Sequence, residues 1–282
     1  IIRLAKEFGF CYGVERAIDL AYAARKVFPD QRIALLGEII HNPDVNAQIT
    51  AMGIEHLAAH PSEEDLASLA PEDVVIIPAF GAEVATVEAV KARGCQVVDT
   101  TCGDVMSVWK RVRQNAAEQV TSIIHGKAAH EETRATASRA RGVDRQGQYL
   151  IVLDLPETDA VCEAIRQGCD KTVFLEHFQN AVSPGFDPDL HLQRVGVANQ
   201  TTMLRSETEE IQNRIRVAIQ NRDGGSSENF RYFDTICGAT QDRQDALFQL
   251  HDESLDLLRV VGGYNRCNTT HLDENESKKA PT

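Results

Sequence analysis

An α/β fold built on parallel sheets is what this sequence predicts, and three observations predict it. Short apolar runs rich in Val and Ile recur along the chain. They lack strict apolar/polar alternation, as strands do when both faces are buried. Helical apolar patterns lie between them, which is the alternation that parallel sheets with crossover helices require. The candidate strands, in order, are RIALLG (32–37), VVIIPA (74–79), QVVDTT (96–101), TSIIHG (121–126), YLIVLD (149–154), TVFLEH (172–177), RVGVAN (194–199), FRYFDTI (230–236) and LRVVGG (258–263). Three stretches read as helix. In 14–27, Val14, Ala17, Ile18, Ala21 and Ala24 share one face. In 206–220, Ser206 and Glu209 form a capping-box pattern. In 240–257, Ala246, Leu247, Leu250 and Leu257 share a face. The segment NRDGGSSENF (220–229) reads as a flexible linker and the tail 273–282 as polar and frayed.

The chain has 282 residues, which sets an expectation of about two domains at ~150 residues each. With 43% hydrophobic and 25% charged residues it is neither a disordered chain nor a collagen-like one. No apolar run approaches the ~18–20 residues of a membrane span, so no membrane is expected as a partner. IIRLAKEFGF at the start has no signal-peptide pattern; it reads as a strand from which a leader could have been trimmed. The formal net charge of −13 argues against a broad nucleic-acid face. A small anionic substrate remains compatible, because a few local donors outweigh the global field at short range.

Seven cysteines are present, an odd number, with no CxxC pair among them. A reducing compartment follows, with thiols as ligands, nucleophiles or core residues. VDTTCG (98–103) and FDTICG (233–238) echo one another, and FGFCYGV (8–14) again sets a cysteine before a helix pattern. Cys11, Cys102 and Cys237 therefore share a turn-to-helix context. The positive end of a helix favours thiolate, the form that ligates metal. Three thiolates converging at one point suit a [4Fe–4S] cluster with one iron left open. The plainer alternative is three small buried residues. Cys95, Cys162 and Cys169 lack that context and read as structural.

Polar clusters also follow the strands: His41 in EIIHN; His125, His130, Glu131, Glu132 and Thr133 in the run 123–138; Asn199, Gln200, Thr201 and Thr202 in ANQTT; Asn265, Asn268 and Thr269 after a Gly-Gly turn. Ligands of open α/β sheets bind at the carboxyl ends of strands. Taken singly, each cluster is also an ordinary helix start. His130 and Glu132 form the more specific pair, since a carboxyl beside a histidine in a cleft can be held protonated as a general acid. HEE lacks the second histidine of a zinc-protease motif, and no Walker or GxGxxG loop is present.

GFCYGVERAI, LLGEIIHNPDV, PAFGAEV, VVDTTCGDV, SIIHGKAAHEET, VGVANQTTML and DTICGATQDRQDA, in that order, resemble the 4-hydroxy-3-methylbut-2-enyl diphosphate reductase family, in its cyanobacterial and plastid branch. The resemblance runs to about Leu272. It implies the last step of the non-mevalonate isoprenoid pathway: two electrons and two protons remove an allylic hydroxyl as water, giving isopentenyl and dimethylallyl diphosphate. It implies a [4Fe–4S] cluster on Cys11, Cys102 and Cys237, proton delivery from Glu132, and substrate contacts from His41, His130, Thr201 and Asn268. A histidine of the proteobacterial branch falls at Phe80. The implied fold is three related α/β domains in a trefoil around the central cluster. The expected boundaries are 11–101, 102–229 and an incomplete 230–282, with 1–10 as a strand leading to Cys11.

Two features depart from that pattern. Arg266 and Cys267 stand where the family has two phosphate-binding serines, and Thr282 comes before a further TSGAS-like segment. Arg can pair with phosphate but is far bulkier than Ser, and Cys is a weaker donor. They leave a second reading, a cluster-binding homologue with impaired or no turnover. A third reading, a generic α/β binding protein with structural cysteines, differs in holding no iron. The expected partners are the diphosphate substrate and a ferredoxin-type electron donor, with Lys110, Arg111 and Arg113 read as a solvated helix face. The expected location is the cytoplasm, or the plastid stroma if a transit segment was trimmed.

Overall fold

Strands buried on both faces need helices on both sides, and the chain meets that need twice. The computed structural model describes residues 2–233, 235–251 and 255–261. It divides into two units. The first holds the residues up to Gly81, Thr86–Cys102 and the described residues from Ile236 on; the second holds Ala82–Ala85 and Gly103–Thr235.

Chain order begins with α1 (Tyr12–Val27), β1 (Ile33–Leu36), α2 (Pro43–Ala51), β2 (Ile54–Leu57), α3 (Glu63–Ala67), β3 (Val74–Ile77), α4 (Val84–Ala92) and β4 (Gln96–Asp99). The four strands form one all-parallel sheet in the order β2-β1-β3-β4. Ala17, Ala21 and Ala24 of α1 are buried against Ile33, Leu35, Val74 and Ile76, with Val14 and Ile18 at the edge of that core. The expected helical face is thus the one that packs. Small side chains there let α1 lie close to the sheet.

The chain continues with α5 (Gly103–Ala117), β5 (Thr121–His125), α6 (Glu131–Ala140), β6 (Tyr149–Val152), α7 (Leu155–Gln167), α8 (Lys171–His177), α9 (Pro188–His191), β7 (Val195–Asn199), α10 (Arg205–Arg222) and β8 (Phe230–Tyr232). These strands form the second all-parallel sheet, in the order β6-β5-β7-β8. Successive side chains of a strand point to opposite faces. Ile123, Leu150, Val152, Val195 and Val197 accordingly meet α7 and α10 in one core. Ile124 and Ile151 lie with Ala137 of α6, and Ala198 lies with Val108 and Val112 of α5. Burying each such Val or Ile contributes about 1.5–3 kcal/mol. The last helix described, α11 (Gly238–His251), belongs to the first unit and buries Ala246 and Leu247.

Both sheets have the same order: second strand, first, third, fourth. In each, the connections leave in opposite directions from the two central strands. The crevice at such a switch point is where open α/β sheets bind ligands. In the first unit it lies at the carboxyl ends of β1 and β3; in the second, at those of β5 and β7.

Several expectations are corrected. TVFLEH (172–177) is not a strand but lies in α8. Asp170 caps that helix by accepting from the backbone N–H groups of Thr172 and Val173. Phe174 is buried and Leu175 packs at the edge of the same core while Val173 is exposed, so the run meets the core from one side only. Residues 2–10 form no strand; Ile2, Leu4 and Phe8 are exposed and have no ladder partner. Ser206 does not cap: α10 starts one residue before it, with Leu204 at the cap position and no side-chain cap bond. The helix expected over 240–257 ends at His251, and Leu257 is exposed. Residues 258–261 are not strand, and 262–263 lie outside the described residues.

Residues 220–229 are a tight connection rather than a linker. Gly224 and Gly225 take positive φ (63° and 98°), the Gly225 N–H returns to the Gln220 carbonyl at 2.8 Å, and Asp223 holds Arg222 and Asn229. β8, expected to open a third domain at residue 230, instead completes the second sheet by pairing with β7. Among the described residues, no helix is long and apolar enough to cross a membrane.

Candidate active site

Each cysteine of the trio stands one residue before a helix. α1 opens at Tyr12, α5 at Gly103 and α11 at Gly238. Cys11 caps α1 in extended conformation, and its carbonyl accepts the Glu15 N–H at 3.0 Å. The Cys237 carbonyl likewise opens its helix, accepting the Thr240 N–H at 3.0 Å and the Gln241 N–H at 3.3 Å. Cys102 donates its N–H to the Ala79 carbonyl at 2.8 Å, which pins the turn after β4 to the turn after β3. Asp99 steadies that turn by accepting from the N–H and hydroxyl of Thr101. From α1, Arg16 donates to the carbonyls of Thr100 and Thr101 at 3.5 and 3.3 Å. Arg243 of α11 donates to the Gly9 carbonyl at 3.0 Å, tying the helix after Cys237 to the segment before Cys11.

Gly13 shows how tight this corner is. A Cβ there would lie 2.5 Å from the Cys102 sulfur and 3.9 Å from the Cys11 sulfur. The absence of a side chain on Gly13 leaves space beside both thiols. Three cysteines, each under the positive end of a helix dipole, are a donor set that fits a thiolate-held iron–sulfur cluster. The remaining described cysteines have other company. Cys95 is buried and donates to the Ala70 carbonyl at 3.3 Å; Cys162 lies in the second unit's core, where burial pushes its thiol up to about 11; Cys169 packs at that core's edge.

His41 follows β1, at the first unit's switch point. Its ring stacks on Phe80, which follows β3, with centroids 4.8 Å apart and planes 16° apart. Its Nδ1 lies 3.0 Å from a Glu38 carboxylate oxygen. The sequence marks Phe80 only as a place where another branch has histidine. Its role as the platform for His41 emerges from the fold, since the two residues follow neighbouring strands.

The second unit's switch point carries His130, Glu132 and Thr201. His130 caps α6: its Nδ1 accepts the Glu132 N–H at 3.1 Å, so a neutral His130 carries its proton on Nε2. Glu132 is buried (4% exposed). One carboxylate oxygen accepts the Thr201 N–H at 2.6 Å and the other accepts the Thr201 hydroxyl at 3.0 Å. Burial pushes the Glu132 carboxyl up to about 7, against the two Thr201 donors that pull it down; the charge of Asp104 pushes the same way as burial. The result is an acid that holds or releases a proton near neutral pH, as general acid catalysis needs.

α6 is fixed from behind by α5. The Trp109 indole donates to Thr136 at 3.2 Å, and the Arg139 guanidinium lies 3.2 Å over the Trp109 ring while donating to the Ala82 and Ala135 carbonyls. His125, at the end of β5, faces inward, with its Nδ1 2.8 Å from the Thr208 hydroxyl. Asn199 accepts from the Thr235 hydroxyl at 2.5 Å, two residues before Cys237. Lys110, Arg111 and Arg113 are exposed on α5 as expected, with Arg111 over the Phe233 ring at 4.8 Å. Arg266, Cys267 and Asn268, with Asn265 and Thr269, lie outside the described residues.

The LytB protein family model matches residues 2–282. A relative from Synechococcus sp. (strain RCC307), named 4-hydroxy-3-methylbut-2-enyl diphosphate reductase, is 50% identical over 275 residues, covering 97% of this chain and 66% of its own. One of the same name from Thermosynechococcus vestitus is also 50% identical, over 97% of this chain and 67% of its own. The chain thus spans about two thirds of the length of these curated relatives. Among solved structures, that of an (E)-4-hydroxy-3-methyl-but-2-enyl diphosphate reductase, described as the terminal enzyme of the non-mevalonate pathway, matches with a TM-score of 0.66 and 26% identity. It covers 98% of this chain and 82% of that one. The corresponding reductase from Plasmodium falciparum shares the fold, with a TM-score of 0.72 at 23% identity over 97% of this chain and 72% of that one.

Proposed function

This chain belongs to the LytB protein family, and on that premise we propose that it is the reductase its relatives are named for. It removes the allylic hydroxyl of (E)-4-hydroxy-3-methylbut-2-enyl diphosphate as water, with two electrons and two protons, and releases isopentenyl or dimethylallyl diphosphate. The observation that carries this reading is the buried Glu132 held by Thr201, an acid poised near neutrality at a strand-order switch point.

Cys11, Cys102 and Cys237 would hold one [4Fe–4S] cluster, which when bound supplies electrons singly to an oxygen-bearing substrate. A ferredoxin-type protein is the proposed electron source. Glu132 in its protonated form delivers a proton to the departing hydroxyl. Thr201 orients that proton: with its N–H and O–H both directed at Glu132, the carboxyl plane is set before substrate arrives. His130, with Nδ1 engaged by the Glu132 N–H, is assigned a further contact to the substrate. His41, stacked on Phe80 with its Nδ1 against Glu38, is assigned the diphosphate end. Asn268 is assigned the diphosphate end as well.

The test is electron paramagnetic resonance of the chain reconstituted anaerobically with iron and sulfide, reduced, and titrated with the hydroxy-methylbutenyl diphosphate. A reduced-cluster signal that changes on titration supports the reading. A cluster signal indifferent to the substrate would leave a cluster-binding homologue without turnover. No cluster signal would overturn the assignment of the three cysteines.

A further inference from the structure

We infer that Gln200 is a positioning residue, whose side-chain amide braces the Glu132-bearing loop against the Thr201-bearing loop. The inference rests on the reading of Glu132 as the proton donor. Glu132 and Thr201 lie on different elements, one at the start of α6 and the other after β7. The bonds between them are only as steady as the distance between those elements. Gln200 is 1% exposed and spans that distance. Its side-chain oxygen accepts the Lys127 N–H at 3.2 Å and the Thr133 hydroxyl at 3.1 Å. Its side-chain nitrogen donates to the Thr202 hydroxyl at 2.9 Å. Its backbone N–H donates to the His125 carbonyl at 2.8 Å, and its carbonyl accepts from Met203 N–H and from the Asn199 side chain.

The neighbours make the placement specific. Thr133 follows Glu132 in α6, and Thr201 follows Gln200, so the brace and the acid pair run side by side. Gly126 is the space that admits the brace: a Cβ there would lie 2.9 Å from the Gln200 Cβ and 2.9 Å from the Thr133 hydroxyl. A buried amide joined at both ends allows little slip between the loops, because moving either loop strands a buried polar group. Loss of the brace therefore loosens the Thr201 donors from Glu132, and the acid loses the contacts that favour its charged form.

The experiment compares wild type with Gln200→Leu, which keeps the size and removes the amide. Thr133→Val, a gentler change that cuts the same bond from the other end, is run beside it. Titration of Glu132 is followed by its protonated-carboxyl infrared band, assigned by its loss in Glu132→Gln. This readout does not depend on turnover, so it separates failure of the brace from failure of the reductase reading. Both variants are expected to move the Glu132 midpoint up by about one pH unit, the equivalent of weakening one hydrogen bond to a charged group. If wild type turns over, the falling, alkaline limb of the kcat pH profile moves up with it, and KM stays within about twofold. Variants that fold with reduced stability but leave the Glu132 midpoint in place would show a structural residue only and overturn the inference. A wild type that fails to reduce the diphosphate while the midpoint still shifts would sink the proposed reaction and leave the brace standing.

Discussion

Replacing Glu132 with Gln tests the acid without emptying its niche. Gln has the same shape, and its amide oxygen can accept the Thr201 N–H while its NH2 faces the Thr201 hydroxyl, which can turn to accept. It thus imitates the protonated carboxyl. The carboxyl sits at about 7 in the folded protein against 4.5 in a free chain. At 1.36 kcal/mol per pH unit, that difference is worth about 3 kcal/mol. Its sign follows from the fact that the folded state binds this proton more tightly than the unfolded state does. The stabilisation is complete below the unfolded value of 4.5 and is lost as the pH rises through about 7. Urea unfolding of the two proteins, with matched cluster content, should therefore show Glu132→Gln gaining about 3 kcal/mol on wild type between pH ~4.5 and ~8. Turnover of the variant should fall about 10²- to 10⁴-fold, the usual worth of a positioned acid. Parallel stability curves for the two proteins, within about 0.5 kcal/mol, would refute the claim that burial governs this carboxyl.

Three further outcomes are expected. Replacing Cys11, Cys102 or Cys237 by Ser should each strip most iron from the reconstituted protein, whereas Cys95→Ser should retain it; iron released to a chelator measures both, and equal retention in all four would remove the trio's distinction. Gly13→Ala sets a methyl 2.5 Å from the Cys102 sulfur, so overpacking of about 1–3 kcal/mol should speed iron loss about 5- to 150-fold at little cost in far-ultraviolet circular dichroism; unchanged retention would show the corner to be slack. Phe80→Ala removes the ring under His41, and a lost ring pair of about 0.5–1.5 kcal/mol should raise KM about 2- to 10-fold with kcat nearly unchanged; a fall in kcat alone would place His41 elsewhere in the reaction.

The sequence shows most clearly what depends on neighbours in the chain. VVII and TSIIH are read as strands from their short Val and Ile runs without apolar/polar alternation, and both are central in their sheets. β2 escaped notice because IEHL, on a sheet edge, buries little beyond Ile54. TVFLEH has strand-like letters, but Asp170 in front of it supplies a helix cap whose worth, about 1 kcal/mol, outweighs weak local preference. The three cysteine turns were legible because the motif and the helix start are adjacent in sequence. Glu132 and Thr201 were legible as separate motifs, but their pairing was not, since 69 residues separate them. The Gln200 brace and the His41–Phe80 stack were illegible for the same reason: each depends on which strands become neighbours.

The shared strand order bears on heredity. Apart from Cys11, which stands ahead of the first strand, the described residues assigned to chemistry lie on segments that follow strands, and the ladders themselves carry none of them. A lineage can exchange a loop residue without disturbing a ladder. The central strands have no such freedom. β1 and β5 each pair on both sides, and each leads directly into a segment that bears an assigned group. A mild packing defect in either strand would shift that group, and in a survey of variants it would pass for a chemical lesion.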